Sequence, residues 1–130
     1  MPDTDYVVAR WFLILAATGF GVIYALPLLL APLAWARRLG WKIPADTDLT
    51  VYFGRCVGGV ACAIVVGCFL AAAQPEAHVI LFRIITLVGV FMVGVHVWGA
   101  VERTQPWLET AEIPLYAALA GVAWAVTPAG

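Results

Sequence analysis

Long apolar stretches alternate with short polar connections along this chain, and the pattern repeats four times. The apolar stretches cover about residues 6–35, 49–73, 79–101 and 108–126. A helix needs roughly 20 apolar residues to cross the hydrocarbon core of a bilayer. The pattern therefore predicts an all-α fold, an integral membrane four-helix bundle, in which residues 1–130 form a single transmembrane domain.

The composition agrees with this prediction and narrows the set of partners. Hydrophobic residues make up 64% of the chain, charged residues make up 12%, and the mean hydropathy is +0.97. Soluble domains are about half apolar and a quarter charged. The lipid bilayer is therefore the expected surrounding. We expect no nucleic-acid partner, because the net charge is -1 and phosphate binding requires clustered Lys and Arg.

The charges in the connections predict the orientation in the membrane. Arg37, Arg38 and Lys42 form the densest basic cluster, whereas the connection at residues 74–78, QPEAH, has no Lys or Arg. Short loops rich in Lys and Arg remain on the cytoplasmic side. We therefore expect a multi-pass protein of the bacterial inner membrane with both termini on the outer side, periplasmic or extracellular.

The N-terminal segment is predicted to remain as part of the first helix. It carries Asp3 and Asp5 where a signal peptide would be basic, and the apolar run behind them exceeds the short core of a signal. Pro27 lies in the second half of this helix. A proline inside a helix removes a hydrogen bond and bends the axis, so we expect a kink near Pro27.

Small residues on the second stretch predict close helix packing. Gly54 and Gly58 have GxxxG spacing, and a second ridge of small residues four apart contains Gly59, Ala63, Gly67 and Ala71. Such ridges allow another helix to approach closely. These ridges fit either packing inside the bundle or the interface of a homo-oligomer. Membership of a larger membrane complex is a further alternative.

The cysteines do not indicate a metal or redox motif. Cys56, Cys62 and Cys68 are six residues apart on one predicted helix, so their side chains point to three different faces. They are odd in number and form no CxxC motif, which argues against a thiol-disulfide enzyme. We predict buried, inert thiols and no metal site.

Polar side chains gather at one end of the predicted bundle. Arg55 lies roughly 9 Å inside the second stretch and His96 roughly 8 Å inside the third, at about 1.5 Å per residue. Glu112 lies a few residues into the fourth stretch. Ionisable groups inside a membrane usually face the interior and pair with one another. The predicted binding cluster is Arg55, His96 and Glu112, with Glu109 as an alternative acid and with Trp98 and Trp107 as a lid.

Helical spacing predicts which way these side chains point. Gly89, His96 and Arg103 are seven residues apart and Gly99 is three beyond His96, so they share a face of the third helix. Small residues mark the face where membrane helices meet, so His96 should point into the bundle. The fourth helix has a similarly aligned set, Glu109, Glu112 and Tyr116.

The sequence leaves several alternative roles for this cluster. The cluster could tie helices together, bind a small molecule or handle protons, or catalyse a reaction with His96 as base and Glu112 as its partner. No catalytic motif accompanies these residues, so we do not expect an enzyme and assign no catalytic residue.

No cofactor is predicted for a single chain. A b-type haem needs facing axial histidines, but His78 lies about 27 Å from His96 along the same helix. A haem site would therefore require an oligomer or a larger complex. A quinone pocket needs only hydrogen-bond donors among apolar walls, so quinone binding remains an alternative.

Two segments carry a resemblance to a known group. In VVARWFLILAATGFG, at residues 7–21, and YFGRCVGGVACAIVVG, at residues 52–67, an arginine opens a Gly-rich apolar run. With the four-span size, this resembles the DoxX-like small bacterial four-helix membrane proteins. The resemblance implies an accessory membrane subunit or a quinone-linked redox complex.

Taken together, the patterns favour a non-catalytic, accessory or small-molecule-binding component of the inner membrane. Its polar pocket would lie at the cytoplasmic end of the bundle. A small proton-coupled transporter is the first alternative, because buried ionisable residues can form a relay. A quinone- or haem-binding redox subunit is the second.

Overall fold

The computed structural model describes residues 4–129, and every regular element in this range is a helix. The all-α fold class is therefore confirmed for the described residues. Asp3 and Gly130 lie outside them. The elements are α1 (Thr4–Phe20), a π-helical segment (Gly21–Ala25), α2 (Leu26–Leu30), α3 (Pro32–Arg38), α4 (Asp48–Ala71), a 3-10 turn (Pro75–His78), α5 (Val79–Glu102), α6 (Trp107–Ala111) and α7 (Ile113–Ala125).

Three helical stretches within residues 4–129 are long and apolar enough to cross a membrane, namely Tyr6–Leu30, Asp48–Ala71 and Pro75–Glu102. The fourth predicted stretch is divided at Glu112 into the short helices α6 and α7. Pro114 explains the division, because it has no N–H for the carbonyl of Thr110 and its ring clashes with that carbonyl in a continuous helix.

The helices form two groups that we call the first and second hairpins. In the first hairpin, α4 packs along α1, the π-helical segment, α2 and α3. In the second hairpin, α5 packs extensively along α7. Contact between α4 and α5, the neighbours across the 3-10 turn, is slight by comparison. The chain thus consists of two locally formed hairpins that meet over a limited area.

The hairpins are joined at the end that carries the 3-10 turn, which we call the packed end. Ala9 and Leu13 of α1, Phe82 of α5 and Ala123 of α7 are completely buried there. The rings of Phe12 and Phe82 stack across the hairpins with centroids 6.2 Å apart. Large and small side chains from three helices therefore interlock at this end.

Arg10 closes the end of α4 at the packed end. Its Nε donates to the carbonyl of Ala72 at 2.9 Å and its Nη2 to the carbonyl of Ala73 at 3.2 Å. The last carbonyls of a helix have no partner within the helix, and a cation there is favoured by the helix dipole. Arg10 thus fastens α1 to the C-terminus of α4.

The first helical run departs from α geometry just before Pro27, where the π-helical segment Gly21–Ala25 lies. Pro27 cannot donate an N–H to the carbonyl of Ile23, and the indole N–H of Trp35 donates to that carbonyl at 2.9 Å. The run ends at Ala31, whose φ of -144° and ψ of 61° are not helical. The irregularity predicted near Pro27 is therefore centred one turn earlier.

Glycines on α4 separate an interior face from an exterior face. A Cβ at Gly54 would lie 2.6 Å from Cβ of Pro32, and one at Gly58 would lie 2.7 Å from Cα of Leu29. A Cβ at Gly59 or Gly67 would meet nothing within 4 Å. The GxxxG pair thus serves packing inside the first hairpin, whereas Gly59 and Gly67 leave their side of α4 uncovered.

Large apolar side chains cover much of the outer surface. Leu70, Phe91, Val101 and Trp124 are each at least 70% exposed. Apolar surface of this extent is unusual on a soluble monomer and is typical of helices that contact lipid tails. The surface agrees with three helices suited to a membrane.

Candidate functional site

His96 is the buried polar residue from which the site is built. It lies near the C-terminal end of α5 and is 4% exposed. Its Nδ1 is 2.7 Å from the carbonyl oxygen of Met92. Since a carbonyl oxygen only accepts, Nδ1 must carry a proton and donate it. The prediction that His96 points into the bundle is confirmed, and its Nε2 atom is directed at the helices α6 and α7.

Glu109 is the nearest partner of His96. It lies in the first turn of α6 and is 7% exposed, with Oε2 3.1 Å from Nε2 of His96. The indole N–H of Trp41 donates to the other oxygen, Oε1, at 2.8 Å. The loop between α3 and α4 therefore reaches over the site and fixes the orientation of this carboxyl group.

Glu112 supplies a second carboxyl group at the junction of α6 and α7. Its Oε2 is 3.8 Å from Nε2 of His96. This oxygen is buried and has no hydrogen-bond partner. The hydroxyl of Tyr24 approaches the same carboxyl group without bonding to Oε2. A buried acceptor with no donor is uncommon in native proteins, which makes this atom chemically notable.

A short network ties the end of α5 to α6. The side-chain amide of Gln105 donates to the carbonyl of His96 and to the hydroxyl of Thr110, both at 2.9 Å. A Cβ at Gly99 would collide with the Gln105 side chain, so the glycine leaves room for this network. It holds the backbone of His96 in a fixed position relative to α6.

Tyr116 completes the wall on the side of α7. Its ring centroid is 4.9 Å from that of His96, with the planes inclined by 42°, and its side chain is buried. Gly89 permits this approach, because a Cβ there would lie 2.9 Å from the carbonyl oxygen of Tyr116 and from Cβ of Ala120. The imidazole is thus held between α5 and α7.

An apolar cavity of about 650 Å³ lies between the two hairpins. Both hairpins contribute to its walls, which include Phe20, Ile64, Met92 and Leu119, while Glu109 lines its polar end. The cavity exists because the hairpins pack tightly only at the packed end. We call the opposite end, with His96, Glu109 and Glu112, the site end.

The structure brings together three of the four ionisable side chains predicted for the site and leaves Arg55 outside. His96, Glu109 and Glu112 each offer one ligand atom within 4.8 Å of the others, although no metal site was predicted. Arg55 is exposed and forms no ion pair within the described part of the chain. The predicted convergence is therefore wrong for Arg55. Gly54 faces Pro32, and the next residue is rotated by about 100° away from that interior face.

The predicted tryptophan lid is also different in the structure. Trp98 and Trp107 are 68% and 75% exposed and lie on the outer surface. Trp41 covers the cluster instead, and Tyr24 lines the cavity beside it. Sequence reasoning missed both, because Tyr24 lies three helices before α5 in the chain and nothing local indicates that the loop carrying Trp41 folds over α6.

The thiols give a mixed outcome. All three cysteines are free, and Cys68 is buried as predicted, but Cys62 is partly exposed and Cys56 is exposed. Cys56 borders the cavity.

Comparison with known proteins gives no family for this chain. It matches no protein-family model, no curated protein and no solved structure. The resemblance to DoxX-like proteins therefore stays a prediction, and function is inferred from the site itself.

Proposed function

We propose that this protein is an accessory component of the bacterial inner membrane that binds an amphipathic small molecule between its two hairpins. The apolar part of the ligand would occupy the cavity, and its polar group would lie at the buried cluster of His96, Glu109 and Glu112. The observation that carries this proposal is an apolar cavity that ends at a buried, hydrogen-bonded carboxyl group.

The size and walls of the cavity suit such a ligand. Binding sites for small molecules usually enclose about 300–1,000 Å³, with mostly apolar walls and a few polar groups that fix orientation. The cavity of about 650 Å³ falls within this range. Glu109, Tyr24 and Tyr116 supply polar groups at the site end of the cavity, so a ligand with one polar group would bind in one direction.

The cavity is bordered by side chains that would face the bilayer. Phe53, Val57 and Val60 border the cavity, and each is more than half exposed on α4. In a membrane this side of α4 would contact lipid tails. A lipid-soluble molecule would therefore reach the cavity between α4 and α5 without entering water.

The proposal includes a four-helix arrangement in the membrane, with α6 and α7 as a fourth, interrupted crossing. Both termini would face outwards and the site end would face the cytoplasm. The loops at residues 39–47 and 103–106 meet at the site end, where a Cβ at Gly40 would lie 3.6 Å from Cβ of Pro106. The basic residues beside these loops would then share the cytoplasmic side. A cytoplasm-only reporter fused after Gly130 should be inactive.

Extraction of bound molecules tests the proposal. The protein is purified from native membranes in a lipid nanodisc, and its lipid-soluble contents are extracted and identified by mass spectrometry. Ala61 is buried and lines the cavity, so Ala61→Leu should fill the space and reduce the extracted molecule at least tenfold.

Ala63→Leu is the matched control, because Ala63 is exposed on the same helix and does not line the cavity. It should retain the ligand of the wild-type protein. The same molecule in equal amounts from both variants, or no molecule enriched over bulk lipid, would disprove the proposal. A Soret band or an extracted quinone would identify the ligand class as haem or quinone and support a redox subunit.

A proton-coupled carrier is the second candidate, favoured by one observation. Three ionisable side chains, those of His96, Glu109 and Glu112, are grouped in the interior between helices that separate at this end. Buried ionisable groups are typical of proton pathways. Substrate flux in proteoliposomes that depends on a pH gradient, and is lost in Glu112→Gln, would select this function.

A further inference from the structure

We propose that His96, Glu109 and Glu112 form a binding site for one divalent first-row transition-metal ion at the site end. The imidazole would supply Nε2, and each carboxyl group would supply one oxygen. This site goes beyond the binding of an amphipathic molecule and does not depend on it. Three features of the cluster support an ion here, namely the direction of the lone pairs, the spacing of the ligand atoms and the hydrogen bonds around them.

The tautomer of His96 leaves a free lone pair on Nε2. Nδ1 donates its proton to the carbonyl of Met92 at 2.7 Å, so in the neutral ring Nε2 has a lone pair and no hydrogen. That lone pair is directed at Oε2 of Glu109, 3.1 Å away, and near Oε2 of Glu112, 3.8 Å away. Three electron-rich atoms facing one another in a buried site require a positive charge between them, either a proton or a metal ion.

The spacing of these atoms suits a metal ion. An ion about 2.0–2.2 Å from each nitrogen or oxygen ligand holds neighbouring ligand atoms about 3–3.5 Å apart. The distance of 3.1 Å from Nε2 to Glu109 falls within this range, the distance of 3.8 Å to Glu112 is slightly longer, and all three ligand atoms lie within 4.8 Å of one another. A small movement of the Glu112 carboxyl group completes the geometry.

Glu112 provides an independent reason to expect an ion. Its Oε2 atom is buried and has no hydrogen-bond donor, which leaves the desolvation of that oxygen uncompensated. A shared proton on Nε2 would be used mainly by the nearer Glu109 and would still leave Glu112 poorly satisfied. A cation between the three residues satisfies both carboxyl groups.

The surrounding hydrogen bonds match those that orient metal ligands. A metal-bound histidine usually donates its other N–H to a carbonyl or carboxylate, and bound carboxylates are hydrogen-bonded in turn. His96 donates to Met92, and Trp41 donates to Oε1 of Glu109 and leaves Oε2 directed at His96. These partners hold two of the three ligands in position.

The ligand set indicates the class of metal. One imidazole nitrogen with two carboxylate oxygens is intermediate between the oxygen sites of Mg²⁺ and Ca²⁺ and the thiolate sites of soft metals. Divalent manganese, iron, cobalt or zinc fits this set. Two carboxylates neutralise the divalent charge, and any proton held among the three groups leaves to solvent, so the loaded site is neutral in its buried surroundings.

Titration with Co²⁺ tests this site, because the visible spectrum of cobalt reports its ligands. Protein without a histidine tag is purified in detergent, stripped with a chelator and titrated with cobalt chloride. We expect one Co²⁺ per chain, with visible bands of nitrogen and oxygen ligation and no near-ultraviolet band of a thiolate ligand. Bound metal should also raise the thermal unfolding temperature of the wild-type protein, because it binds only the folded state.

Variants locate the ion. His96→Ala, Glu109→Gln and Glu112→Gln should each weaken Co²⁺ binding at least tenfold. The double variant Glu76→Gln/His78→Ala removes one carboxylate and one imidazole of the same types from the exposed 3-10 turn at the other end. It should retain the affinity of the wild-type protein. If His96→Ala fails to fold, the Co²⁺ affinity of the isosteric Glu112→Gln variant and the spectrum of the wild-type protein still test the metal site.

Three results would overturn the metal site. They are the absence of cobalt bands in the wild-type protein, equal affinity in the site variants and the 3-10 turn variant, and a thiolate band that places cobalt on a cysteine. The first would indicate that protons alone hold the three side chains together. None of these results depends on an extracted small molecule, so the metal site and the proposed ligand can fail separately.

Discussion

The two ends of this molecule use the same helices in opposite ways. At the packed end, Phe82 and Ala123 are completely buried and Arg10 bonds to the carbonyls of Ala72 and Ala73, just after the end of α4. At the site end the hairpins separate around a cavity, and polar side chains make the connections instead. The comparison indicates that the packed end determines stability, which leaves the site end free to retain a cavity and buried polar groups.

The difference follows from side-chain size at the positions where helices meet. At the packed end the buried cluster combines alanines with the large side chains of Leu13 and Phe82. The large side chains of one helix fill the space that the alanines of the next helix leave. At the site end the small residues Gly54 and Gly58 allow α4 to pack closely against α2 and α3 within the first hairpin. That contact brings α4 closer to its own hairpin and leaves space on the side of α5.

Replacement of the central aromatic residue at the packed end should have the largest effect. Phe82→Ala should lower the free energy of unfolding by about 3–5 kcal/mol, because a completely buried ring is replaced by a cavity. Phe91→Ala on the same helix is the control, since Phe91 is 70% exposed. Unfolding by added denaturing detergent measures both. Equal losses would remove the distinction between the two ends.

A methyl group on the interior face of α4 should have the next largest effect. Gly58→Ala should cost about 1–3 kcal/mol, because overpacking forces neighbouring backbone to move and a Cβ there would lie 2.7 Å from Cα of Leu29. Gly59→Ala, one residue later, meets nothing within 4 Å and should be neutral. Thermal unfolding of the two variants measures this. A loss at Gly59 would instead indicate that the exposed ridge is covered by another copy of the chain.

The smallest expected effect concerns a single polar link at the site end. Trp41→Phe keeps the ring but removes the N–H that donates to Glu109 at 2.8 Å, and should cost about 1 kcal/mol. Trp98→Phe is the matched control, because Trp98 is 68% exposed and donates no hydrogen bond among the described residues. A loss as large as that of Phe82→Ala would show that the site end is as important for stability as the packed end.

The fold was largely predictable from the spacing of apolar and small residues. The all-helical class and the three long helices follow from length and hydropathy, and the direction of His96 follows from its alignment with Gly89 and Gly99. The division at Glu112 was missed, because apolar composition continues across it. Pro114 lies in the first turn of α7, where a proline is tolerated, so the proline alone does not reveal that the preceding helix ends at Ala111.

The site was only partly predictable, because the depth of a residue in the membrane does not determine the direction in which its side chain points. Counting residues gave Arg55 and His96 similar depths but gave no angle around the helix axis. The interior face of α4 is marked by Gly54 and Gly58, and Arg55 does not lie on it. Trp41 could not be predicted as a partner of Glu109, because the hydrogen bond joins residues 68 positions apart through a loop.

The π-helical segment has a consequence for the phase of the first helical run. The buried positions of that run are spaced four residues apart, at Ala9, Leu13, Ala17, Gly21 and Ala25. On an ideal helix of 3.6 residues per turn, each such step advances the position by about 40°, so the row would wind through about 160°. A π-helical turn contains more residues and therefore rotates each one less. The segment thus turns the row back towards α4, which keeps Gly21 and Ala25 on the buried side of the run.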